Sequence, residues 1–340
     1  MSDDYLWDRS GPPDPEVERL ESRLASFRGR PQQPVWPQEP AGLRARPRRL
    51  IPLLAAAAVL LVAVGIWLRA PRREAGTPWA IASIEGELRR TTQADSVGSR
   101  LAAGRWIETA PGSRVVLEAT RVGQIAVEPS TRLRVVGGRS QEHRLQLAHG
   151  TLRAVIWAPP GRLVIDTPSS TVVDLGCAYT LRVDSRGVGL IEVTAGWVGF
   201  AYDGRESFIP AGAVAATRPR LGPGTPYYDD ATVAFRRAVT TLDLDSRERR
   251  AREAALEAIL DQARPRDALT LWHLLAWVDP GERSRLYDRL AAFVPPPPGV
   301  TRAGIRRGDR TMLDLWWNAL GHGDLDWWRT WLQQWRDIPR

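Results

Sequence analysis

The chain has no lysine. All 47 of its basic residues are arginine, a uniformity that reads as a compositional bias rather than as selected chemistry. It has one cysteine, Cys177, which excludes an intramolecular disulfide and the usual cysteine-based zinc sites. Its four histidines, His143, His149, His273 and His322, do not pair with carboxylates at a metal-ligand spacing, so no metal is expected. The phosphate-cradling G-x-x-x-x-G-K-[ST], the zinc-binding H-E-x-x-H and the nucleophile-elbow G-x-S-x-G are all missing. Asp166, Asp174 and Asp184 fall at strand edges, as turn residues do, rather than as a carboxylate dyad. The expectation is a protein that is not an enzyme and carries no cofactor.

What is present is substantial. A length of 340 residues allows two modest domains plus tails, and 43% hydrophobic residues are enough to build cores. The formal charge is +8. Such a balance invites nucleic acid or anionic lipid as a partner, but the arginines do not collect into one stripe, and no nucleic-acid partner is expected. The densest run, residues 247–252 (RERRAR), opens a helical pattern and reads as its wet face.

Residues 50–68, LIPLLAAAAVLLVAVGIWL, form the longest apolar run. About 18 helical residues at ~1.5 Å each come close to a ~30 Å hydrocarbon core. Arginines bracket the run, and Trp67 sits near one interface. Nearly fifty residues come first, which is a poor match to a secretory signal. The expectation is a single transmembrane helix, with the slight excess of basic residues favouring a cytoplasmic N-terminus.

Ahead of this run, residues 1–28 read as a short helical head. Asp14 and Pro15 open a helix, and Val17, Leu20, Leu24 and Phe27 fall on one stripe, with Trp7 nearby. A lone helix of this length is marginal in water, so the stripe needs a partner surface, unless the head is a frayed tail or lies on the bilayer. Residues 29–49 are proline-rich and read as an extended tether.

Residues 79–217 change character. Short β-branched runs alternate with turn signals about every ten residues, which predicts an all-β sandwich or roll. Residues 218–230 read as a linker. From 231 to 340 the period becomes helical. Stripes such as Phe235, Ala238, Val239 and Leu242, or Leu271, Leu274, Leu275 and Val278, predict short helices in an all-α, tryptophan-rich, HEAT-like array of hairpins. Asp279, Pro280 and Glu282 mark one helix start.

Three stretches of the β region carry a resemblance: LAAGRWIETAPGSRVVLEATRVGQIAVEPSTRLRVV at 101–136, LQLAHGTLRAVI at 145–156, and the segments LVIDTPSSTVVDLGCAYTLRVD and GLIEVTAGWVGF within 163–200. Together, and in this order, they are similar to the FecR-domain family of single-pass envelope regulators of extracytoplasmic-function sigma factors. The resemblance implies an anti-sigma-factor-like regulator in the bacterial inner membrane. Its N-terminus would be cytoplasmic, with the head binding a sigma factor, and its periplasmic β domain would bind an envelope protein or polymer as signal. It also implies a self-cleavage position: Gly176–Cys177 stands where the family has Gly–Thr, and a thiol could perform the analogous N→S acyl shift. The bland reading of Cys177 is a small buried hydrophobe. The alternative reading of the whole chain is an envelope scaffold module that binds through its β and helical parts.

Overall fold

The computed structural model describes residues 79–336, apart from 87, 90–95, 138–141 and 246–247, together with Arg19, Ser22 and Arg23. The chain divides into two units, Met1–Ala70 and Pro71–Arg340. Of the first unit only those three head residues are described, and they are helical and exposed. The second unit holds a mostly β part and a C-terminal helical part.

The β part is two sheets that share one strand. Its sixteen strands are β1 (Ala80–Glu85), β2 (Leu88–Arg89), β3 (Trp106–Thr109), β4 (Arg114–Ala119), β5 (Gly123–Val127), β6 (Arg132–Gly137), β7 (His143–Ile156), β8 (Leu163–Asp166), β9 (Thr171–Asp174), β10 (Ala178–Val183), β11 (Gly189–Ala195), β12 (Trp197–Tyr202), β13 (Arg205–Pro210), β14 (Ala213–Arg218), β15 (Gly222–Pro223) and β16 (Tyr227–Tyr228). One sheet runs β1-β4-β5-β7-β10-β11-β14, with β15 and β16 on β14; the other runs β2-β3-β6-β7-β8-β9-β12-β13. Among the described strands only β7 with β8 is parallel.

Strand β7 is the hinge of this arrangement. Its first half pairs with β6 and β8 in one sheet, and its second half pairs with β5 and β10 in the other. Gly150 sits where it changes sheets, at φ +106°, and a Cβ there would lie 2.4 Å from the Thr131 Cα. Only glycine makes this corner. Thr131, fully buried, fastens it: its Oγ1 accepts from Thr151 N–H at 2.8 Å, and its own N–H donates to Thr109 Oγ1 at 2.9 Å. Alternate residues of both sheets, such as Leu117, Ile125, Leu152 and Leu181 from one and Leu133, Leu145, Leu147 and Ile165 from the other, are buried in one cluster. Each such side chain contributes about 1.5–3 kcal/mol on burial.

The helical part comprises α1 (Val233–Thr240), α2 (Arg249–Gln262), α3 (Ala268–Leu275), α4 (Pro280–Phe293), α5 (Arg302–Arg307), α6 (Arg310–Ala319) and α7 (Leu325–Arg336). A π turn at Thr241–Asp245 follows α1, and a 3₁₀ turn at Pro265–Asp267 precedes α3. The Asp279–Glu282 capping box opens α4, with Asp279 N–H donating to Glu282 Oε2 at 3.0 Å. The stripes of α1 and α3 are buried. Their core is continuous with that of the sheets.

Several expectations change here. The single-pass membrane fold is not sustained: among the described residues no helix is long and apolar enough to cross a membrane. The apolar run 50–68 lies outside the described residues, as do the tether 29–49 and nearly all of the head. The inner-membrane location, cytoplasmic N-terminus and periplasmic C-terminus fall with that fold, and nothing in the described residues supports a lipid bilayer as partner. The chain is described instead as a mostly β part with a C-terminal helical region. Residues 218–230, read as a linker, carry β15 and β16, which hydrogen-bond to β14. The HEAT-like expectation has no support, because the helices range from six to fourteen residues and are joined by unlike connections. Arg252, read as part of a wet face, instead makes a double contact with Glu282 at 2.6 and 3.1 Å and donates to Leu242 O at 2.6 Å.

Candidate functional site

The helices meet the sheets along β13, whose outer edge has no strand partner among the described residues. An edge strand presents free N–H groups, and His273 of α3 covers one of them. Phe208 N–H donates to His273 Nε2 at 3.1 Å, and His273 Nδ1–H donates to Leu269 O at 2.8 Å. Both ring nitrogens are thus used and the tautomer is set. His273 is buried to 1% exposure, and that burial pulls its pKa down to about 3, so it stays neutral. An aromatic cluster surrounds this contact. Trp317 packs on Phe208, Trp272 and His273, with ring centroids 5.6, 4.7 and 5.8 Å apart, and Trp197 of β12 packs on Trp317 and Trp328.

A small cleft of about 30 Å³ opens beside this seam. Phe208, Trp272 and His273 form its floor and Trp277 one wall. The guanidinium groups of Arg205 and Arg310 lie 4.8 and 5.7 Å from the Trp277 ring centroid. On the other side Arg329 links β13 to α6: it reaches Glu206 at 3.1 Å and Asp314 at 2.6 and 3.0 Å. Arg329 is thereby neutralised. The cleft is therefore a small, mostly apolar and aromatic recess with a charged rim.

A second constellation lies in the turn from β9 to β10, where the sequence singled out Gly176 and Cys177. Asp174, 1% exposed, accepts from Gly176 N–H at 2.8 Å and from the Cys177 thiol at 2.5 Å. Burial pushes its pKa up to about 7, against those two hydrogen bonds. Burial first, and then the Asp174 charge, pushes the Cys177 thiol far above its ordinary range. The Tyr179 hydroxyl is likewise pushed up by burial, and among the described residues it has no hydrogen-bond partner. Thiolate, not thiol, is the nucleophile, and as arranged Cys177 keeps its proton.

The remaining sequence-derived site residues, Trp7, Val17, Leu20, Leu24 and Phe27, lie outside the described residues. The structure therefore gives no contact for any of them. Among the described residues there is no cluster of histidine, cysteine and carboxylates that could hold a metal. Sequence reasoning missed His273 and Arg329 entirely. Their partners are 65 and 123 residues away, and no local pattern marks them.

By fold and site, the second unit is a mostly β structure with docked helices and an aromatic recess. No protein-family model matches the chain, and no curated protein matches it. Two crystal structures of a presumed anti-sigma factor from Parabacteroides distasonis are similar to it at a TM-score of 0.33 and 11% identity, covering 41% of this chain. The matched part spans 62% of that protein's chain. The FecR-domain resemblance has no family-model match behind it.

Proposed function

We propose that the chain is an anti-sigma-factor-like regulator that works by binding rather than by catalysis. In this reading the head stripe of Val17, Leu20, Leu24 and Phe27, with Trp7, binds an extracytoplasmic-function sigma factor, and the unit Pro71–Arg340 receives the controlling signal. One observation carries the reading. The three stretches that resemble the FecR domain fold, in order, into consecutive strands of a single two-sheet unit: 101–136 contains β3 to β5 and most of β6, 145–156 lies in β7, and 163–200 contains β8 to β11 and most of β12. Of the two readings of Gly176–Cys177, the geometry favours packing over self-cleavage, since the thiol is buried and its proton is held by Asp174.

The test uses the full chain. Co-expressed with candidate sigma factors, the wild type is expected to retain one of them, and the double substitution Leu20→Asp/Leu24→Asp is expected to release it. Losing two leucines from the proposed contact at about 1.5–3 kcal/mol each weakens binding by more than ~100-fold. Retention that ignores the substitutions, or no retention at all, removes the regulator reading and leaves a structural scaffold.

A further inference from the structure

The outward face of the second sheet carries a polar row that runs across five strands. Trp106 on β3 stands directly opposite Arg134 on β6, Arg134 opposite Gln146 on β7, Gln146 opposite Asp166 on β8, and Asp166 opposite Thr171 on β9. Parts of the row are hydrogen-bonded. Arg134 Nε–H donates to Gln146 Oε1 at 2.8 Å. Arg144 makes a double contact with Asp166 at 2.5 and 3.0 Å, and the Thr171 hydroxyl donates to Asp166 at 3.1 Å. Arg144 is thereby neutralised.

The β3 end of the row differs. Arg132 and Arg134 both place their guanidinium groups over the Trp106 ring, 4.5 and 4.8 Å from its centroid. Two positive charges are thus held within about one Debye length (~10 Å) of each other. Among the described residues neither makes an ion pair. Arg132 stands directly opposite Glu108, yet its guanidinium lies over the indole instead. The indole holds both arginines by cation–π attraction, so their planar donor forks are ordered before any partner arrives.

We propose that this Arg132–Trp106–Arg134 clamp is a docking site for an extended acidic segment of a partner protein, with carboxylates at alternate positions. Three features select that partner. Arg132 and Arg134 are two residues apart on one strand face, about 6.8 Å along the strand, the interval at which alternate side chains of an extended peptide recur. Arg132 offers its planar fork, and Arg134, whose Nε–H is already given to Gln146, offers its two Nη groups, each matching a carboxylate in a two-bond contact. Among the described side chains, the unpaired positive charge at this end of the row is that of Arg132 and Arg134, with Glu108 beside them and Arg144 already paired. A short acidic peptide fits that count, whereas a nucleic acid strand needs a longer run of phosphate contacts. This site is independent of the head and goes beyond the sigma-factor reading.

The test measures fluorescence anisotropy of a labelled peptide, Ser-Glu-Thr-Glu-Thr-Glu-Ser, titrated with the full chain at low salt. The expected result is saturable binding that weakens as salt rises from about 50 to about 200 mM. It should fall about tenfold or more in Arg132→Gln/Arg134→Gln and by less in Arg132→Lys/Arg134→Lys, which keeps the charge without the fork. Arg182→Gln, which alters an exposed arginine of the other sheet paired with Glu192, is expected to bind as the wild type does. The proposal is overturned if the Gln-for-Glu peptide binds equally, if the double Gln variant binds like wild type, or if the Glu peptide does not bind. It is also overturned if oligothymidylate of equal charge displaces the peptide more effectively than unlabelled peptide does.

Discussion

Replacing His273 with leucine probes the seam between sheets and helices in a way that pH can read. The side chain of similar bulk keeps the packing but leaves Phe208 N–H buried without an acceptor. An unsatisfied buried donor costs about 1–3 kcal/mol, so at pH 7.5 the variant is expected to be less stable by that amount. The wild type carries a second signature. Its imidazole titrates near 3 when folded but near 6.5 when unfolded. The unfolded chain therefore binds the extra proton first, and the stability contributed by the neutral ring is lost as pH falls from about 6.5 toward 3. From pH 7 to pH 5 this amounts to about 2 kcal/mol, which the leucine variant does not lose. Asp174 acts in the opposite direction: its raised folded pKa of about 7 adds stability as pH falls through that value. It is present in both proteins and cancels in the difference. Urea unfolding followed by tryptophan fluorescence is the natural assay, because Trp272 and Trp317 pack on His273. The two stability curves should converge as pH drops from 7.5 to 5. Parallel curves over that interval would refute the assignment of His273 as a buried neutral acceptor.

Gly150→Val is expected to be far more damaging than an average strand substitution. It forces a branched residue into positive φ and against the Thr131 backbone, at about 3–5 kcal/mol, which should lower Tm by roughly 10 °C or more in a scan. Cys177 should react with a thiol reagent only at the rate at which the β part opens, since it is buried and protonated; rapid stoichiometric labelling of the folded chain would contradict this. Intact mass of the purified full chain should show one species, identical in Cys177→Ser apart from the substitution, and a fragment ending at Gly176 would revive the cleavage reading.

Much of the local structure was legible in the sequence because local patterns carry it. Alternation in SRVVLEA and YTLRVD marks strands whose inward residues are buried, as Val115, Leu117, Leu181 and Val183 are. The stripe of Leu271, Leu274, Leu275 and Val278 marks the buried face of α3 and the turn after it. The Asp279–Glu282 box marks a helix start because a cap is made by residues three apart. The site was far less legible. Gly176 and Cys177 were singled out, but nothing nearby in sequence says that Asp174 is buried against them. His273 and Arg329 carried no signal, since what they do depends on strands that arrive from a distant part of the chain.

By itself, then, the sequence carried the strand alternation of segments such as SRVVLEA and YTLRVD, the helical stripes after residue 231, and the exclusion of an intramolecular disulfide by its one cysteine. Those properties follow from side-chain periodicity and backbone preference over a few residues. Tertiary structure alone decided that β7 bends at Gly150 to serve two sheets, that residues 222–228 complete a sheet rather than link two domains, and that the helices close the edge of β13. It also decided that two arginines settle on Trp106. These are outcomes of long-range pairing, in which a residue's role is set by whichever surface is folded against it, and spacing along the chain does not encode that.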